Sequence, residues 1–334
     1  MDILNNDFIT YDCIRTSVEI TPEEQVAFAV EKGDMLFQRS SETLEDVGRA
    51  NVYMDDRPAV FGGFVIRGKK KAEYNPMFFR YLLASPYARK KVIPMGAGAQ
   101  HFNIGQDGLS KVKLHFPILQ EQQKIADLLR LINERISTQN KIIEDLKLLK
   151  SAISLNVLHS DTWEQFKIKD IAQIGRGRVI SSIEISQQKS PTYPVYSSQT
   201  SNDGIMGYLD DYMFEGEYIS WTTDGANAGT VFYRNGKFNC TNVCGLLKLI
   251  KGFDTHFVSL VLAEATKKYV SINLANPKLM NNTMGNIQIR LPKLEEQKRI
   301  SIVFRVLQRL WTIHNSLLTE YIKQKQYLLS QMFI

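Results

Sequence analysis

The 334-residue chain contains few residue sets that could perform covalent chemistry. Its five histidines lack the H-E-x-x-H spacing that sets two imidazoles and a carboxylate at zinc. The stretch Asn75-Pro76-Met77-Phe78 comes near an amino-methyltransferase motif, but Met77 stands where that motif needs proline or an equivalent. Asn75 followed by proline predicts a helix N-cap instead. No phosphate-binding G-x-x-x-x-G-K-[ST] sequence is present. The sequence therefore predicts a non-catalytic chain that carries no cofactor.

The three cysteines, Cys13, Cys240 and Cys244, also argue against a metal site. One closely spaced pair without a second pair does not fit zinc coordination, and an odd count does not fit a disulfide framework. The first ten residues lack the basic start and apolar core of a signal peptide. No apolar run approaches the roughly 18 residues of a membrane span. We expect reduced thiols, no bound metal and a cytoplasmic location.

Several loops are rich in the side chains that hydrogen bond to nucleic-acid base edges, namely Arg, Lys, Asn, Gln, Ser and Thr. The net charge of +6 permits an acidic partner. Ordinary turn chemistry is the alternative for the Ser- and Asn-rich loops, and a solvated turn is the alternative for the lysine run. The residues predicted to contact DNA are Arg39, Ser40, Ser41, Thr43, Lys69, Lys70, Lys71, Arg176, Arg178, Tyr196, Ser198, Gln199, Asn202, Trp221, Thr222, Thr223, Lys278, Asn281 and Asn282.

One phrase occurs twice, as FPILQEQQKI at 116–125 and as LPKLEEQKRI at 291–300. Residues 116–158 align with 291–333 without a gap, with eight identities in 43 positions. In both copies a 4-3 spacing then marks ten positions, of which eight are apolar. That spacing is typical of a coiled-coil seam, and a proline before each run suits a helix start. The repeat predicts two helices of about 38 residues, each roughly 57 Å long.

The polar positions of this seam predict how the two helices pair. Gln139 and Lys150 interrupt the first seam, and His314 and Lys325 interrupt the second at equivalent positions. An antiparallel register with Gln139 opposite Lys325 and Lys150 opposite His314 places polar side chains together. A shift of one heptad sets Gln139 and Lys150 against leucines, at a cost of about 1–3 kcal/mol for each unpaired group. We therefore predict the first register; the alternative is that each helix pairs with another subunit.

The segments before the two helices follow one common plan. Both contain short β-type runs and turns, with Gly33 matching Gly216, and then a strand, a helix (75–92 and 255–270), a polar loop and a short strand. We predict an α+β fold in which two mixed α/β domains are separated by two long helices that form an antiparallel coiled coil, with a pseudo-twofold internal repeat. The predicted boundaries are 1–116 for the first domain, 117–159 for the first helix, 160–291 for the second domain and 292–334 for the second helix.

With these segments in order, the chain resembles the specificity (S) subunits, HsdS, of type I restriction–modification systems. The resemblance rests on the two repeated phrases, on GDMLFQRSSE (33–42), and on YPVYSSQTSNDGIMGYLDDY (193–212) with GTVFYRNGKF (229–238). It implies that each domain is a target-recognition domain for one half of a split, asymmetric DNA site, and that the helices set the distance between the half-sites. It also implies two modification (methyltransferase) subunits that methylate adenine, and restriction subunits that translocate and cleave DNA.

The first domain departs from this pattern. Trp163 lies 53 residues before Gly216, whereas only 32 residues precede Gly33. We therefore expect the first domain to lack about 20 residues, including its N-terminal strand. Two alternative functions stay open: a scaffold or decoy S protein that binds methyltransferase subunits without full DNA targeting, and the targeting subunit of a fused methyltransferase–nuclease system.

Overall fold

Two compact units make up the computed structural model, which describes residues 2–271 and 276–333. The first unit comprises Met1–Ile143 with Ile313–Ile334, and the second comprises Glu144–Thr312. Each of the two long helices therefore contributes one part to each unit. No helix in the described part of the chain combines the length and the apolar character needed to cross a lipid bilayer.

The first unit is built around a three-stranded antiparallel sheet in the order β4-β2-β6. Helix α3 packs against β4, and the core between them contains Met35, Val52 and Leu83. The elements up to the first long helix are α1 (Asp2–Asn5), α2 (Pro22–Ala27), β1 (Ala29–Val30), β2 (Met35–Gln38), β3 (Ser40–Ser41), β4 (Ala50–Val52), β5 (Ala59–Val60), β6 (Val65–Gly68), α3 (Pro76–Ala84), α4 (Pro86–Val92), β7 (Phe102–Asn103), α5 (Gln106–Ser110) and α6 (Leu119–Val157).

The second unit contains two four-stranded sheets, in the orders β14-β13-β16-β9 and β11-β10-β15-β12. Its main core joins Ile219 and Leu247 of the first sheet to Phe257 and Leu262 of helix α9. The elements are β8 (Glu164–Lys167), α7 (Ile168–Ile171), β9 (Ala172–Arg176), α8 (Ser182–Ser186), β10 (Tyr193–Tyr196), β11 (Ile205–Leu209), β12 (Phe214–Glu215), β13 (Tyr218–Thr222), β14 (Val231–Arg234), β15 (Lys237–Cys240), β16 (Cys244–Leu249), α9 (Thr255–Ala265), α10 (Asn281–Asn286), β17 (Gln288–Leu291) and α11 (Leu294–Gln331).

The main sheets of the two units share their central strand arrangement. Strands β2 and β13 each begin two residues after a glycine with positive φ, Gly33 at 93° and Gly216 at 100°. Glycine adopts this conformation without the steric cost that a Cβ would bring. β4 and β6 flank β2 as β14 and β16 flank β13, but the second sheet has the additional strand β9 beside β16.

The predicted helix over residues 75–92 is two helices. α3 ends at Ala84, and Ser85 adopts an extended conformation (ψ 152°) before α4 begins at Pro86. Proline has no N–H for the helical ladder and disfavours the helical conformation in the residue before it. The Ser85 hydroxyl caps the new helix by accepting from the N–H of Ala88 at 3.3 Å.

The two long helices run antiparallel to each other within each unit. In the first unit, Ala126 and Leu129 near the start of α6 pack with Phe333 just after the end of α11. In the second unit, Phe304 near the start of α11 packs with Leu158 just after the end of α6. The start of each helix thus lies beside the end of the other, as the repeat predicts.

The predicted register of these helices is wrong. Gln139 Oε1 lies 2.7 Å from His314 Nδ1, not opposite Lys325, and the Lys150 Nζ donates to Gln308 Oε1 at 3.4 Å. The prediction assumed that every polar seam position is buried and must face another. Lys150 is exposed, so its amine reaches a polar neighbour at the flank and needs no partner inside the seam. Gln139, only 8% exposed, pairs with its own repeat counterpart.

The repeated phrase contains a buried glutamine that joins each domain to its helix. In the first unit, Gln122 Oε1 accepts from the N–H of Asn75, and Gln122 Nε2 donates to the carbonyl of Pro117 (3.0 and 2.8 Å). Asn75 is the N-cap of α3, and its side chain accepts from the N–H of Phe78. One side-chain amide therefore satisfies a helix-cap N–H and a carbonyl that precedes α6.

The second unit repeats this arrangement, which we call the glutamine bridge. Gln297 Oε1 accepts from the N–H of Asp254 at 2.9 Å, and Gln297 Nε2 donates to the carbonyl of Pro292 at 2.8 Å. Asp254 is the N-cap of α9 and accepts from the N–H of Phe257. The glutamines are 3% (Gln122) and 1% (Gln297) exposed, so water does not replace these bonds.

The glutamine bridges predict a measurable loss of stability. We expect Gln297→Ala to lower the free energy of unfolding by about 1–3 kcal/mol for each buried group that loses its partner. Gln122→Ala should act similarly on the first unit. Denaturant unfolding followed by circular dichroism measures the change, and Gln324→Ala, at an exposed position of α11, is the control. Equal stability of Gln297→Ala and Gln324→Ala would contradict the bridge.

Candidate nucleic-acid interface

Arg176 and Asn281 meet at one edge of the second unit. Arg176 ends β9, Asn281 begins α10, and Arg176 Nε donates to Asn281 Oδ1 at 2.9 Å. Arg176 Nη2 lies 3.7 Å from Met280 Sδ, and the guanidinium is exposed. Arginine pairs with two acceptors on guanine, and asparagine pairs with a donor and an acceptor on adenine. Two side chains that the sequence places 105 residues apart thus present base-reading groups side by side.

Arg178 lies two residues further along and forms a two-pronged ion pair with Glu184 of α8. The hydrogen bonds to Glu184 raise the pKa of Arg178, and the guanidinium lowers the pKa of Glu184. Between the two arginines, Gly177 passes so close to β15 that a Cβ would lie 1.8 Å from the Cys240 carbonyl oxygen. The GRGR segment can therefore cross this strand end only with glycine in the middle.

The loop after β10 closes on itself and leaves Asn202 at its tip. Gln199 donates to the carbonyl of Ile205, and the half-buried Ser198 accepts through its carbonyl from Thr222 Oγ1 at 3.5 Å. Asn202 is exposed and has a φ of 49°, a conformation that asparagine tolerates better than most residues. Of the three predicted residues in this loop, only Asn202 is exposed, and its Nδ2 donates to the carbonyl of Ile205 at 3.5 Å.

Tyr196 lies under a buried arginine that the sequence analysis did not identify. The Arg234 guanidinium is 3.6 Å from the centroid of the Tyr196 ring, and its Nε donates to Ser220 Oγ at 3.0 Å. Burial lowers the pKa of Arg234, which is only 4% exposed. Arg234 covers one face of the Tyr196 ring, and the ring centroids of Tyr196 and Phe238 are 5.6 Å apart. Arg234 lies within YRNG, an ordinary hairpin sequence. No spacing of residues in the sequence therefore indicates that its side chain is buried.

The prediction that Trp221, Thr222 and Thr223 contact DNA is wrong. Trp221 is 0% exposed, and its Nε1 donates to the carbonyl of Leu279 at 2.9 Å. Thr222 and Thr223 are 1% and 2% exposed, and Thr223 Oγ1 donates to the carbonyl of Val243. Trp221 and Thr222 lie in β13, between β14 and β16, so the sheet and its packing layer cover them. The sequence motif WTT belongs to the core.

The other predicted residues of the second unit lie on its surface. Lys278 and Asn282 are exposed. The backbone of Lys278 bridges to Asp224 and to Ser271, which fixes the position of this otherwise free side chain. Asn282 accepts through its carbonyl from Asn286 Nδ2, which leaves the Asn282 side chain directed to solvent.

The predicted residues of the first unit form two groups. Arg39, Ser40, Ser41 and Thr43 lie in or beside the two-stranded sheet β3–β7, whereas the lysines 69–71 follow Gly68, which pairs with Met35 at the other end of β2. Ser40 Oγ hydrogen bonds to Asn103 Oδ1, and Ser41 pairs with Phe102 across the strands. Thr43 Oγ1 donates to Asp46 Oδ2 at 2.9 Å. Arg39 is exposed at the start of this segment, and Lys69, Lys70 and Lys71 are exposed directly after β6. Asn103 is an additional candidate that the sequence analysis missed.

Among the residues that the structure describes, no three His, Cys, Asp or Glu side chains come together as a metal site. Cys240 and Cys244 are buried, and burial raises the pKa of both thiols. Both pack in an apolar cluster with Phe238 and Leu246. These two cysteines are core residues.

Comparisons with known proteins connect this architecture to one family. A family model described as the type I restriction modification DNA specificity domain matches residues 1–148 and 160–324. Two Mycoplasma pneumoniae chains named as type I specificity subunits are similar in sequence. S.MpnORF201P is 36% identical over 205 residues, which cover 60% of this chain and 85% of that one. S.MpnORF615P is 38% identical over 209 residues, which cover 60% of this chain and 83% of that one.

The crystal structure of a type I restriction–modification system S subunit from M. genitalium shares the fold. It superposes with a TM-score of 0.65 over 92% of this chain and 84% of that one, at 16% sequence identity. The family match extends over both halves of the chain, each with its domain and its long helix. The chain therefore belongs to the family of type I restriction–modification DNA specificity subunits.

Proposed function

We propose that this chain is the non-catalytic DNA-recognition subunit of a type I restriction–modification complex. It binds a bipartite, asymmetric DNA site and directs adenine methylation and restriction by partner subunits. The observation that carries this proposal is that both halves match a DNA specificity domain and both end in a long helix held by the same glutamine bridge. At 38 residues, α11 is roughly 57 Å long, more than one duplex turn of about 34–36 Å.

In the second domain, Arg176 and Asn281 are the side chains best placed to read bases. Their mutual hydrogen bond fixes both groups before DNA binds, so less side-chain entropy is lost on binding. Asn202 and Lys278 are exposed on the same unit. Arg178 must exchange its contact with Glu184 for one with DNA, which makes it the weaker candidate.

In the first domain, different segments of the chain supply the base contacts and the phosphate contacts. Arg39 and the Ser40–Asn103 pair supply donors and acceptors for base edges. The exposed lysines 69–71 supply charge without base-specific geometry, which suits phosphate contacts. Lys70 has only a weak, exposed ion pair with Glu73 at 3.3 Å, so little is lost when it binds a phosphate.

The modification subunits need a docking surface, and repeat-equivalent apolar residues support two such surfaces. Near the start of α6, Leu128 and Leu131 are 41% and 51% exposed. At the equivalent positions of α11, Val303 and Val306 are 45% and 52% exposed. An apolar pair that recurs on both helices supports two equivalent sites, one for each modification subunit.

Substitutions at Arg176 test base recognition. We expect Arg176→Lys to keep most of the affinity and to lose discrimination at one base pair, because lysine keeps the charge but lacks the planar fork. Arg176→Ala should cost about 1–3 kcal/mol on the preferred site and relax one half-site only. Selection from a random duplex library, with the chain bound to its modification subunits, measures both effects. Arg299→Ala, at an exposed position of α11, is the matched control.

Alanine at all three lysines 69–71 should weaken binding to every duplex alike and make binding less dependent on salt. DNA targeting would be contradicted if the selection never yields a bipartite site and if DNA binding is sensitive to salt but not to sequence. That result would favour the scaffold or decoy function.

Single charges on the helices test the two docking surfaces. We expect Leu131→Glu or Val306→Glu to reduce the number of bound modification subunits from two to one, and the double variant to bind none. A buried, unpaired carboxylate in a protein interface is costly, whereas both positions are half exposed in this chain. Size-exclusion chromatography with light scattering measures the stoichiometry, with Gln324→Glu as the control. Two bound subunits on the double variant would refute this surface.

A further inference from the structure

Two backbone edges in the first unit correspond to paired edges in the second. The outer edge of β6 has no partner strand in the described part of the chain, whereas its counterpart β16 pairs with β9 along residues 245–249. Residues 113–116 form no strand, whereas the equivalent β17 pairs with β8. Both occupied edges in the second unit are covered by one continuous segment, residues 164–176.

Strand β6 directs hydrogen-bonding groups away from its sheet. The N–H of Arg39 donates to the carbonyl of Phe64 at 2.9 Å, so Phe64 faces β2. Along an antiparallel strand, successive residues face opposite sides, so Val65 and Arg67 face outward. Gln38, which lies opposite Val65, forms its backbone bonds with the β4 side instead. The Val65 N–H already donates to the carbonyl of Gly62 at 3.0 Å. The outward carbonyl of Val65 and the outward N–H and carbonyl of Arg67 are available to an added strand.

Residues 113–116 show the same alternation. The N–H of His115 donates to Tyr87 Oη at 2.9 Å and so faces its own unit. Leu114 and Phe116 therefore direct their backbone groups to the other side. Phe116 is 55% exposed, whereas its repeat counterpart Leu291, beside β8, is 1% exposed. This segment thus has the position of a strand that is paired in the second unit, but it is itself unpaired and more exposed.

The second unit shows what such edges bind. The segment β8–α7–β9 pairs with β17 through its first strand and with β16 through its second. Between the strands it buries Ile168 and Ile171, which are 0% and 2% exposed. Phe166 packs against Phe253 with ring centroids 5.2 Å apart. The segment thus provides two strands, one helical turn and a set of apolar side chains.

We propose that the outer edge of β6 and residues 113–116, together called the acceptor edge, bind a strand–turn–strand segment of a partner polypeptide by strand addition. Unpaired edges invite pairing with another chain, and main-chain hydrogen bonds supply the affinity. A second copy of this chain is a poor donor, because its own segment holds Ile168 and Ile171 in the core of its second unit. The occupant is therefore a segment of alternating apolar residues that is not already held in another core. This inference does not depend on DNA binding.

A labelled peptide with the sequence of residues 160–178 tests the acceptor edge on the full chain. We expect saturable binding by fluorescence anisotropy. Hydrogen exchange should slow about tenfold or more at the N–H groups of Arg67, Leu114 and Phe116, which face the added strand, with no change at β16 and β17. The control peptide carries Phe166→Pro and Gln173→Pro, which remove strand donors that face β17 and β16 in the second unit and should abolish both effects. Phe116→Asp in the full chain should weaken binding about tenfold.

A second arm joins the same segment to the N-terminus of the full chain through a flexible glycine–serine linker, which raises its effective concentration. Protection of the Arg67 N–H in this fusion, and not in its proline version, supports the proposal. Absence of binding and of protection in both arms would overturn it. Equal effects of the proline peptide, protection only at β16 and β17, or slow exchange of the Arg67 N–H in the unmodified chain would overturn it as well.

Discussion

A buried glutamine side chain holds each domain of this protein to the long helix that follows it. The side chains of Gln122 and Gln297 each form two hydrogen bonds, one with the backbone N–H of a helix N-cap and one with a proline carbonyl. Both groups are out of contact with water, so the rest of each unit depends on a single amide being present and correctly oriented. A glutamate could accept at this site but could not donate to the proline carbonyl, and a shorter asparagine would not span both groups. This requirement gives a physical reason for the glutamine that both copies of the phrase carry at the same place.

A fixed joint between domain and helix suits a protein that presents two recognition surfaces on one scaffold. The bridge places the helix start against α3 in the first unit and against α9 in the second, at the buried ends of those helices. Arg176 with Asn281, and Ser40 with Asn103, lie outside these joints, and each pair brings together residues distant in sequence. The joints and the candidate contacts are thus carried by different parts of the chain.

The two halves also differ in ways that bear on their roles. The second unit has a strand beside β16 and a second sheet, whereas the main sheet of the first unit has three described strands. In the first unit, Arg67 of β6 pairs with the buried Asp34. An ion pair of this kind is costly to desolvate and adds specificity more readily than stability.

The sequence by itself determined the order of the parts: two α+β domains, two long antiparallel helices and a gapless repeat. These follow from local periodicity, prolines and the recurrence of one phrase, all of which act over short distances along the chain. Tertiary structure alone decided which polar residues face solvent. Trp221 and Thr222 resemble contact residues in sequence, yet their strand is central and is covered on both sides. The helix register was also beyond the sequence, because whether Lys150 is buried depends on packing from distant segments. The buried amide of Gln139 pairs with His314, 175 residues away, because His314 is the polar side chain within its reach.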